Sequence, residues 1–265
     1  MRKRPLKMKP DSHSPSSAKP LSLRDAKRPF VLAHFAVTAD GKISTRAFTP
    51  AQFTSRADKR RLQEARAAAD AILAGRGTVE TDNMSMGLSA KDLREARKAK
   101  GLPPAPIRVM VSNSGRVDLE GKVFSYSESP LVVFSTSRMP ERLRSRVARK
   151  ADLFIFPGKT VDLSAALQIL REDFGVKRLV CEGGGRLLRA LAERDLVDGI
   201  RLTVAPKVFG GYSAPTITGL PGDFLLPPQE FRIIRQSVEG DECIIDTIRA
   251  GSRISHFPFR ISHTK

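Results

Sequence analysis

Cysteine, tryptophan and long apolar runs are scarce or missing in this 265-residue sequence. Its two cysteines, Cys181 and Cys243, are too few for a disulfide framework, and each lies in an apolar strand-like run that predicts a small buried residue. No apolar run reaches the roughly 18–20 residues that a membrane-spanning helix requires, and the basic N-terminus has no apolar signal core. We therefore expect a cytoplasmic protein of a reducing compartment, with no membrane partner.

Histidine is scarce as well, which bears on metal binding. Three of the four histidines, His13, His256 and His263, lie near the chain ends. The fourth, His34, lies within an apolar run, where a satisfied core or rim position is expected. The two cysteines are far apart in the sequence, so the chain predicts no metal site.

Acidic residues are outnumbered by basic residues, 28 to 46, and the excess is concentrated at the ends. Residues 1–29 carry a net charge of +7 and residues 251–265 carry +3, out of a total of +18. Such tails occur in solvated arms and in proteins that bind polyanions. Nucleic-acid binding is therefore an open alternative. The two tyrosines, the lack of tryptophan and the lack of aromatic residues among the basic ones count against a nucleic-acid partner.

The middle of the chain has the pattern of one folded domain. Residues 1–28 are rich in Lys, Pro and Ser and predict a disordered basic tail, residues 29–250 predict the domain, and residues 251–265 predict a second basic tail. Strand-like runs lie at 30–37, 71–74, 106–112, 131–134, 153–156, 179–181 and 200–205, helical patterns lie at 55–70, 91–100, 140–150, 163–170 and 186–194, and a hairpin pattern closes the domain at 230–250. This order predicts a single three-layer α/β domain with a mixed, mostly parallel sheet and a C-terminal antiparallel hairpin.

The stretch RLVCEGGGRLLRAL, residues 178–191, carries the strongest chemical signal. Glu182 ends a strand-like run, and Gly183, Gly184 and Gly185 separate it from a helical pattern. Ligands of open α/β sheets bind beyond the carboxyl ends of strands, and a glycine-rich helix N-terminus lets a phosphate approach backbone N–H groups. The stretch therefore predicts a pyrophosphate site, although it lacks the spacing of the G-x-G-x-x-G fingerprint. Further glycine turns follow strands at 75–78 and 210–211.

Five segments together resemble a known family, the reductase domain of riboflavin biosynthesis. They are TADGK at 38–42, AILAGRGTVETDN at 71–83, RVMVSNSGRV at 108–117, CEGGGRLLRAL at 181–191 and LVDGIRLTVAPKVFGG at 196–211. The resemblance covers about residues 29–250 and implies a dihydrofolate-reductase-like fold and a homodimer. It also implies NADPH-dependent reduction of a ribosylamino-pyrimidine phosphate, with hydride delivered to ribose C1′. The H-x-E and P-C-x-x-C motifs of the zinc deaminase that accompanies this domain in bifunctional relatives do not occur.

The resemblance also implies roles for particular residues. Lys42, Asp82 and Glu182 match the family's catalytic positions: the lysine as proton donor or electrostatic partner, Asp82 beside nicotinamide and substrate, and Glu182 facing the substrate. Arg66 and Glu182 match substrate-binding positions, and Met86 is expected to line the substrate pocket. The positions that match cofactor contacts are Thr78, Asp82, Asn113, Gly183, Gly184, Gly185, Arg186 and Leu187. A polar cluster after the third strand-like run, Ser112, Asn113, Ser114 and Arg116, predicts NADPH over NADH.

The segment after Asn83 departs from the family pattern. Ser89 stands where the family has an arginine that helps to bind the sugar phosphate, and Pro50 replaces a substrate-contacting serine. Either Lys91 or Arg94 compensates for the missing charge, or the substrate lacks that phosphate. Reduction of a different heterocycle, such as a pterin, is therefore a second open alternative.

Overall fold

The computed structural model describes residues 26–44, 53–219, 224–252 and residue 259. Most of the predicted tails and Pro50 lie outside the described residues. The described strands are β1 (Phe30–Thr38), β2 (Ala71–Gly75), β3 (Ile107–Ser112), β4 (Leu131–Thr136), β5 (Asp152–Phe156), β6 (Arg178–Gly183), β7 (Gly199–Ala205), β8 (Phe231–Glu239) and β9 (Glu242–Arg249). The described helices are α1 (Arg56–Ala68), α2 (Arg76–Thr81), α3 (Lys91–Lys98), α4 (Lys122–Ser125), α5 (Glu141–Ala148), α6 (Leu163–Glu172) and α7 (Gly185–Ala192).

All of these strands form one sheet in the order β5-β4-β3-β2-β6-β1-β7-β9-β8. Strands β1 to β7 run parallel to one another, whereas β9 pairs antiparallel with β7 and with β8. Because β2 and β1 flank β6, the loops that leave these three strands meet at one edge of the sheet. The predicted fold class, a mostly parallel mixed sheet closed by an antiparallel hairpin, is confirmed.

Apolar side chains project from both faces of the sheet, as expected for parallel strands covered by helices on both sides. On one face, Val31, Ala33 and Phe35 of β1 share a core cluster with apolar residues of α6 and α7. On the other face, Phe30 and Leu32 join a second cluster with residues of α1 and α5. The alternation along β1 follows the two-residue period of a strand.

Local signals in the sequence explain where some elements begin. The Ser55 side chain caps α1 by accepting a hydrogen bond from the Asp58 N–H at 3.1 Å, as the S-x-x-D pattern predicts. The glycine loop predicted at 75–77 is wrong, because Gly75 is the N-cap of α2 and Gly77 lies inside that helix. Glycine is common at helix N-caps, so the same residues fit a helix start.

Two residues outside the predicted bounds of 29 and 250 contact the domain. Arg28 pairs with the Asp198 carboxylate at 2.6 Å. Phe259 is 1% exposed and packs against Phe30 with 6.1 Å between ring centroids. Residues on both sides of the predicted domain therefore belong to its packed structure.

The two cysteines differ in burial, and the described helices are short. Cys181 is buried as predicted, and burial raises the pKa of its thiol to about 12, whereas Cys243 is only half-buried. Among the described residues, no helix is long and apolar enough to cross a membrane.

Candidate active site

The predicted site residues gather at the edge of the sheet where the parallel strands end. Glu182 lies near the end of β6, Thr78 lies in α2 directly after β2, and Lys42 lies in the loop after β1. Asn113 follows β3. The carboxyl ends of parallel strands are the usual ligand-binding edge of an α/β sheet, so the topology brings these separate sequence signals to the same edge.

The glycine segment between β6 and α7 has a conformation that favours glycine. Gly184, the N-cap of α7, has a φ of 69°, and Gly183 has a φ of 156°. A Cβ on Gly184 would lie 3.0 Å from the Thr78 hydroxyl oxygen. No side chain caps α7, and the start of the helix lies against Thr78 so closely that a Cβ at Gly184 would crowd the Thr78 hydroxyl.

A turn that the sequence did not signal packs against the start of α7. A Cβ on Gly185 would lie 2.2 Å from the Gly219 backbone nitrogen and 2.8 Å from the Thr216 carbonyl oxygen. The turn is closed by hydrogen bonds between Thr216 and Gly219 in both directions, at 2.7 and 2.9 Å. Gly185 is therefore needed for this close packing, a role separate from that of Gly184.

The loop that carries Lys42 is fixed by Asp40. The Asp40 carboxylate accepts hydrogen bonds from the Thr38 hydroxyl and from the backbone N–H groups of Phe209 and Gly210. The Thr38 hydrogen bond first, and then those from Phe209 and Gly210, hold the pKa of Asp40 below its usual value. The Lys42 N–H donates to the Thr38 hydroxyl at 3.0 Å, so the lysine is held on an ordered turn next to the β7 loop.

The two predicted substrate-binding residues, Arg66 and Glu182, contact each other. Arg66 on α1 donates from Nε to Glu182 Oε1 and from Nη2 to Oε2, both at 2.6 Å. Its Nη1 donates to the Gly87 carbonyl at 2.7 Å. The two side chains are only 9% and 3% exposed. This bidentate pair is shielded from bulk water, where a charge-assisted contact is stronger than at the surface.

Asp82 caps the C-terminal end of α2, near the same edge of the sheet. Its N–H donates to the Thr78 carbonyl at 3.0 Å, which connects it to the proposed cofactor segment. The protein around the carboxyl group displaces part of its hydration and raises the pKa of Asp82 above its usual value. The group is therefore protonated at a higher pH than an ordinary aspartate.

Several residues predicted to contact the substrate or cofactor have side chains that are buried or bonded within the protein. Met86 is fully buried in the second core cluster, so its expected place in the substrate pocket stays a prediction that this burial does not support. Leu187 packs into the first core cluster, which leaves only its backbone to face a cofactor. Asn113 is exposed, but its side-chain oxygen accepts a hydrogen bond from the Val161 N–H at 2.9 Å. Arg186 remains exposed at the start of α7.

Lys91 and Arg94, the two residues expected to compensate for the missing arginine at position 89, differ in their ion pairs. Ser89 donates from both its N–H and its hydroxyl to the Gln63 side-chain oxygen, at 2.9 and 3.0 Å. Arg94 is paired with Glu128 at 2.6 Å, whereas Lys91 is exposed and has no ion pair among the described residues. Of these two cations, Lys91 is therefore the one available to pair with an anionic ligand.

A buried polar row crosses β1, β7 and β9, and the sequence did not predict it. His34 lies on β1, which pairs with β6, the strand of Glu182, and with β7. His34 is aligned with Arg201 of β7, and Arg201 is aligned with Asp246 of β9, which it contacts at 2.6 Å. Polar residues at inward positions of apolar strands were the available signal.

His34 is the unsatisfied member of this row. Its Nδ1 is buried and has no hydrogen-bond partner among the described residues. Burial, and then the nearby charges of Arg201, Arg66 and Arg61, lower the pKa of His34 to about 3. A neutral imidazole with one free nitrogen therefore lies in this row, whereas the sequence predicted a satisfied core or rim residue.

Comparison with known proteins places this geometry in a family. Residues 29–232 match the model of the RibD C-terminal domain. A 2,5-diamino-6-ribosylamino-4(3H)-pyrimidinone 5′-phosphate reductase of Archaeoglobus fulgidus is 36% identical over 190 residues, which are 72% of this chain and 86% of the relative. The reductase of the same name from Methanothermobacter thermautotrophicus is 30% identical over 221 residues, 83% of this chain and 97% of the relative.

Solved structures show the same fold at lower sequence identity. A pyrimidine reductase-like protein of Corynebacterium diphtheriae has a TM-score of 0.72 at 19% identity, over 83% of this chain and 92% of that chain. RibD of Acinetobacter baumannii has a TM-score of 0.70 at 20% identity, over 85% of this chain and 59% of that chain. The family match covers most of the chain, and this protein belongs to the RibD C-terminal domain family.

Proposed function

We propose that this protein is an NADPH-dependent reductase of riboflavin biosynthesis. Its substrate is a ribosylamino-pyrimidine 5′-phosphate, either the 2,5-diamino-pyrimidinone or 5-amino-6-(5-phosphoribosylamino)uracil, which it reduces at ribose C1′. The observation that carries the proposal is the glycine-lined start of α7 directly beside the Arg66–Glu182 pair. Both similar reductases described above are named for the diamino-pyrimidinone phosphate.

The residues around the start of α7 fit a dinucleotide pyrophosphate. The gap between Gly184 and Thr78 would be filled by any Cβ, and uncapped N–H groups at a helix start favour an anion. When bound, the nicotinamide cofactor supplies the hydride, and the protein's part is to orient the reactants and to manage the proton. Gly183, Gly184, Gly185 and Thr78 would hold the pyrophosphate.

The preference for NADPH over NADH is proposed to come from the loop after β3. The Ser112 hydroxyl accepts the Gly115 N–H, and Asn113 is engaged with Val161, so both serve the shape of the loop. Arg116 is exposed, and its guanidinium has no partner among the described residues. Arg116, with the Ser114 hydroxyl, is therefore the group that would hold the 2′-phosphate.

The substrate end of the site would be formed by Glu182, Arg66 and His34. The Glu182 carboxylate accepts hydrogen bonds, so it suits the N–H groups of the pyrimidine or the sugar hydroxyls. The free Nδ1 of neutral His34 can donate or accept a hydrogen bond without adding charge. These three side chains offer both donors and acceptors in a nearly dry setting.

The reaction requires one proton for each hydride. The ribosylamine ring opens to an imine, hydride adds to C1′ and a proton adds to the nitrogen, which leaves an open ribityl chain. Asp82 has a raised pKa and lies near the cofactor segment, so it suits proton transfer. Lys42 has no ion pair among the described residues and is held at the same edge, so it would stabilise negative charge or donate a proton.

The test is NADPH oxidation by the pure protein with the two ribosylamino-pyrimidine phosphates and with a panel of pterins. Turnover of a ribosylamino-pyrimidine phosphate supports the proposal. NADPH binding without turnover of either compound would contradict it.

A pterin reductase is the second candidate, and one observation favours it. Neutral Ser89, bonded to Gln63, replaces the charge that would bind a sugar phosphate. A Ser89→Arg variant distinguishes the two candidates. If the pocket keeps the family's shape, the added arginine should lower the KM for the phosphorylated substrate, because a charge-assisted hydrogen bond is worth about 10- to 150-fold in affinity. An unchanged KM, with turnover of a pterin, would favour the second candidate.

We also propose that the protein forms a homodimer through β8. This edge strand leaves Ile233 56% exposed and Val238 74% exposed, with Ile234 beside them. Exposed apolar residues on an unpaired sheet edge favour pairing with another chain. Sedimentation equilibrium should give a dimer, and Val238→Lys with Ile233→Lys should shift it to a monomer. A monomeric parent protein would contradict this assignment.

A further inference from the structure

The segment that departs from the family pattern buries two of its three large apolar side chains. Met86 and Leu88 are both buried in the protein interior, and Met86 has a φ of 58° that non-glycine residues seldom adopt. What this segment offers to Arg66 is backbone, since the Gly87 carbonyl accepts a hydrogen bond from Arg66 Nη1 at 2.7 Å. The position of the Gly87 carbonyl therefore helps to set the position of the guanidinium that binds Glu182.

The ring of Tyr126 fills the space that a side chain at Gly87 would need. A Cβ on Gly87 would lie 2.5 Å from Tyr126 Cζ, 2.6 Å from Cε2 and 2.8 Å from the hydroxyl oxygen. These are the three nearest heavy atoms, and Gly87 does not have a left-handed φ. The Tyr126 ring therefore excludes a larger residue at position 87, whereas the backbone conformation of Gly87 would allow one.

Tyr126 is held firmly in this place by Arg108. The Arg108 guanidinium carbon lies 4.9 Å from the centre of the Tyr126 ring, and Nη2 donates to the Tyr126 carbonyl at 2.8 Å. The same guanidinium donates to the Ser129 carbonyl at 2.7 Å and to the Val123 carbonyl. Arg108 Nη1 also donates to the Ser85 carbonyl at 3.4 Å. One buried arginine therefore holds the segment of Tyr126 and the segment of Gly87 together.

The hydroxyl end of Tyr126 is fixed as well. It donates to Glu128 at 2.9 Å, and Arg94 donates to the same carboxylate oxygen at 2.6 Å. Arg94 is therefore used to position this loop and is not available as a substitute for the missing arginine at position 89. The Tyr126 ring is restrained at its hydroxyl, on its face and through its backbone.

We infer that Tyr126 is a positioning residue for the substrate end of the site. Its ring, seated on Gly87, fixes the carbonyl that aligns Arg66, and Arg66 in turn aligns Glu182. The inference rests on the proposed function, because Arg66 and Glu182 are the groups proposed to face the substrate. It makes Gly87 and Tyr126 a coupled pair in which the effect of a change at one position depends on the other.

A rescue experiment tests this coupling. Gly87→Ala alone should drive the ring or the carbonyl out of place and raise the KM for the ribosylamino-pyrimidine phosphate by about 10-fold or more, the loss expected for a weakened charge-assisted hydrogen bond. Adding Tyr126→Ala removes the obstacle, so the double variant should have a lower KM than Gly87→Ala. Tyr126→Phe keeps the ring on Gly87 and removes only its hydrogen bond to Glu128, so its KM should rise less than that of Gly87→Ala.

Two further readouts separate positioning from damage to the fold. The NADPH dissociation constant should be the same in all four proteins, because none of these residues contacts the glycine segment. The Nε–H resonance of Arg66 in a ¹⁵N-correlation spectrum, assigned by its loss in Arg66→Lys, should shift in Gly87→Ala and return toward the parent position in the double variant.

The outcomes are distinct for the two proposals. A Gly87→Ala protein with parental KM and an unmoved Arg66 resonance would overturn the positioning role, as would a double variant that is no better than Gly87→Ala. If the parent protein binds NADPH but does not reduce the pyrimidine phosphate, the proposed function fails. The Arg66 resonance still decides the positioning role in that case.

Discussion

At the scale of single residues, the bidentate contact between Arg66 and Glu182 defines the proposed substrate end of the site. Arg66 and Glu182 were each predicted to face a substrate, yet their contact with each other was not predicted, since it depends on how α1 packs across β6. Met86 was expected in the pocket because it is an adaptable apolar residue in the segment that departs from the family pattern, but its side chain is buried in the core. Side-chain direction in irregular segments depends on tertiary packing, which a local pattern does not contain.

His34 provides a residue-scale prediction about pH. Its pKa is 6.5 in the reference state and about 3 in the folded protein, so between these values the unfolded chain binds the additional proton. Stability from this group is therefore complete above pH 6.5 and is lost as the pH falls toward 3, by about 1.4 kcal/mol per pH unit. When the pH falls from 7 to 4.5, the free energy of unfolding should decrease in both proteins. The decrease should be about 2–3 kcal/mol smaller in His34→Asn than in the parent protein.

The measurement for His34 is urea unfolding of both proteins at the two pH values. Asparagine keeps a polar group in the row but does not titrate, so the comparison isolates the proton. Equal losses of unfolding free energy in the two proteins would show that His34 is not held neutral by burial.

At the scale of elements, periodicity and caps located most helices and strands. The Ser55 cap and the amphipathic spacing of α6 are local signals, and both elements begin where those signals lie. The order of strands in the sheet was not predictable, because β6 enters between β2 and β1 through contacts far apart in the sequence. The turn at 216–219 was also missed, since its place on α7 depends on glycines at two distant positions.

Gly185 provides the prediction at this scale. Gly185→Ala should force the turn at Thr216–Gly219 away from α7, because the new Cβ would lie 2.2 Å from the Gly219 nitrogen. Overpacking of this kind typically costs about 1–3 kcal/mol. Thermal unfolding should show a lower Tm, and NADPH titration should show weaker binding.

Gly77→Ala is the matched control for the stability of the Gly185 variant. It lies in α2 with nothing within 4 Å of the added Cβ, so its Tm should be equal to or above that of the parent. A Gly185→Ala protein as stable as Gly77→Ala would show that the turn does not pack on α7 in solution.

At the scale of the whole molecule, the boundaries of the domain were the least predictable feature. The sequence placed the end of the domain at residue 250, because the last fifteen residues are basic and follow the closing hairpin. Phe259 nevertheless packs beside Phe30 on β1, at the centre of the sheet. One aromatic side chain can anchor a polar segment, and average composition does not record which side chain that is.

Phe259 provides the prediction at this scale. Truncation of a fully buried phenylalanine typically costs about 3–5 kcal/mol, so Phe259→Ala should lower the free energy of unfolding by that amount. Phe224 is the matched control, because it is 89% exposed and its change to alanine should cost no more than about 0.5 kcal/mol. Urea unfolding of the two variants measures the difference, and equal values would place Phe259 outside the core.

Hydride transfer from NADPH to ribose C1′ is expected at the edge formed by β6, β2 and β1. The sharpest test uses NADPH deuterated at nicotinamide C4 and locates the deuterium in the product by NMR. One deuterium should appear at C1′ of a ribitylamino-pyrimidine phosphate, and Glu182→Gln should greatly reduce its formation. NADPH bound with normal affinity but no deuterium transferred to either ribosylamino-pyrimidine phosphate would show that the site performs another reaction.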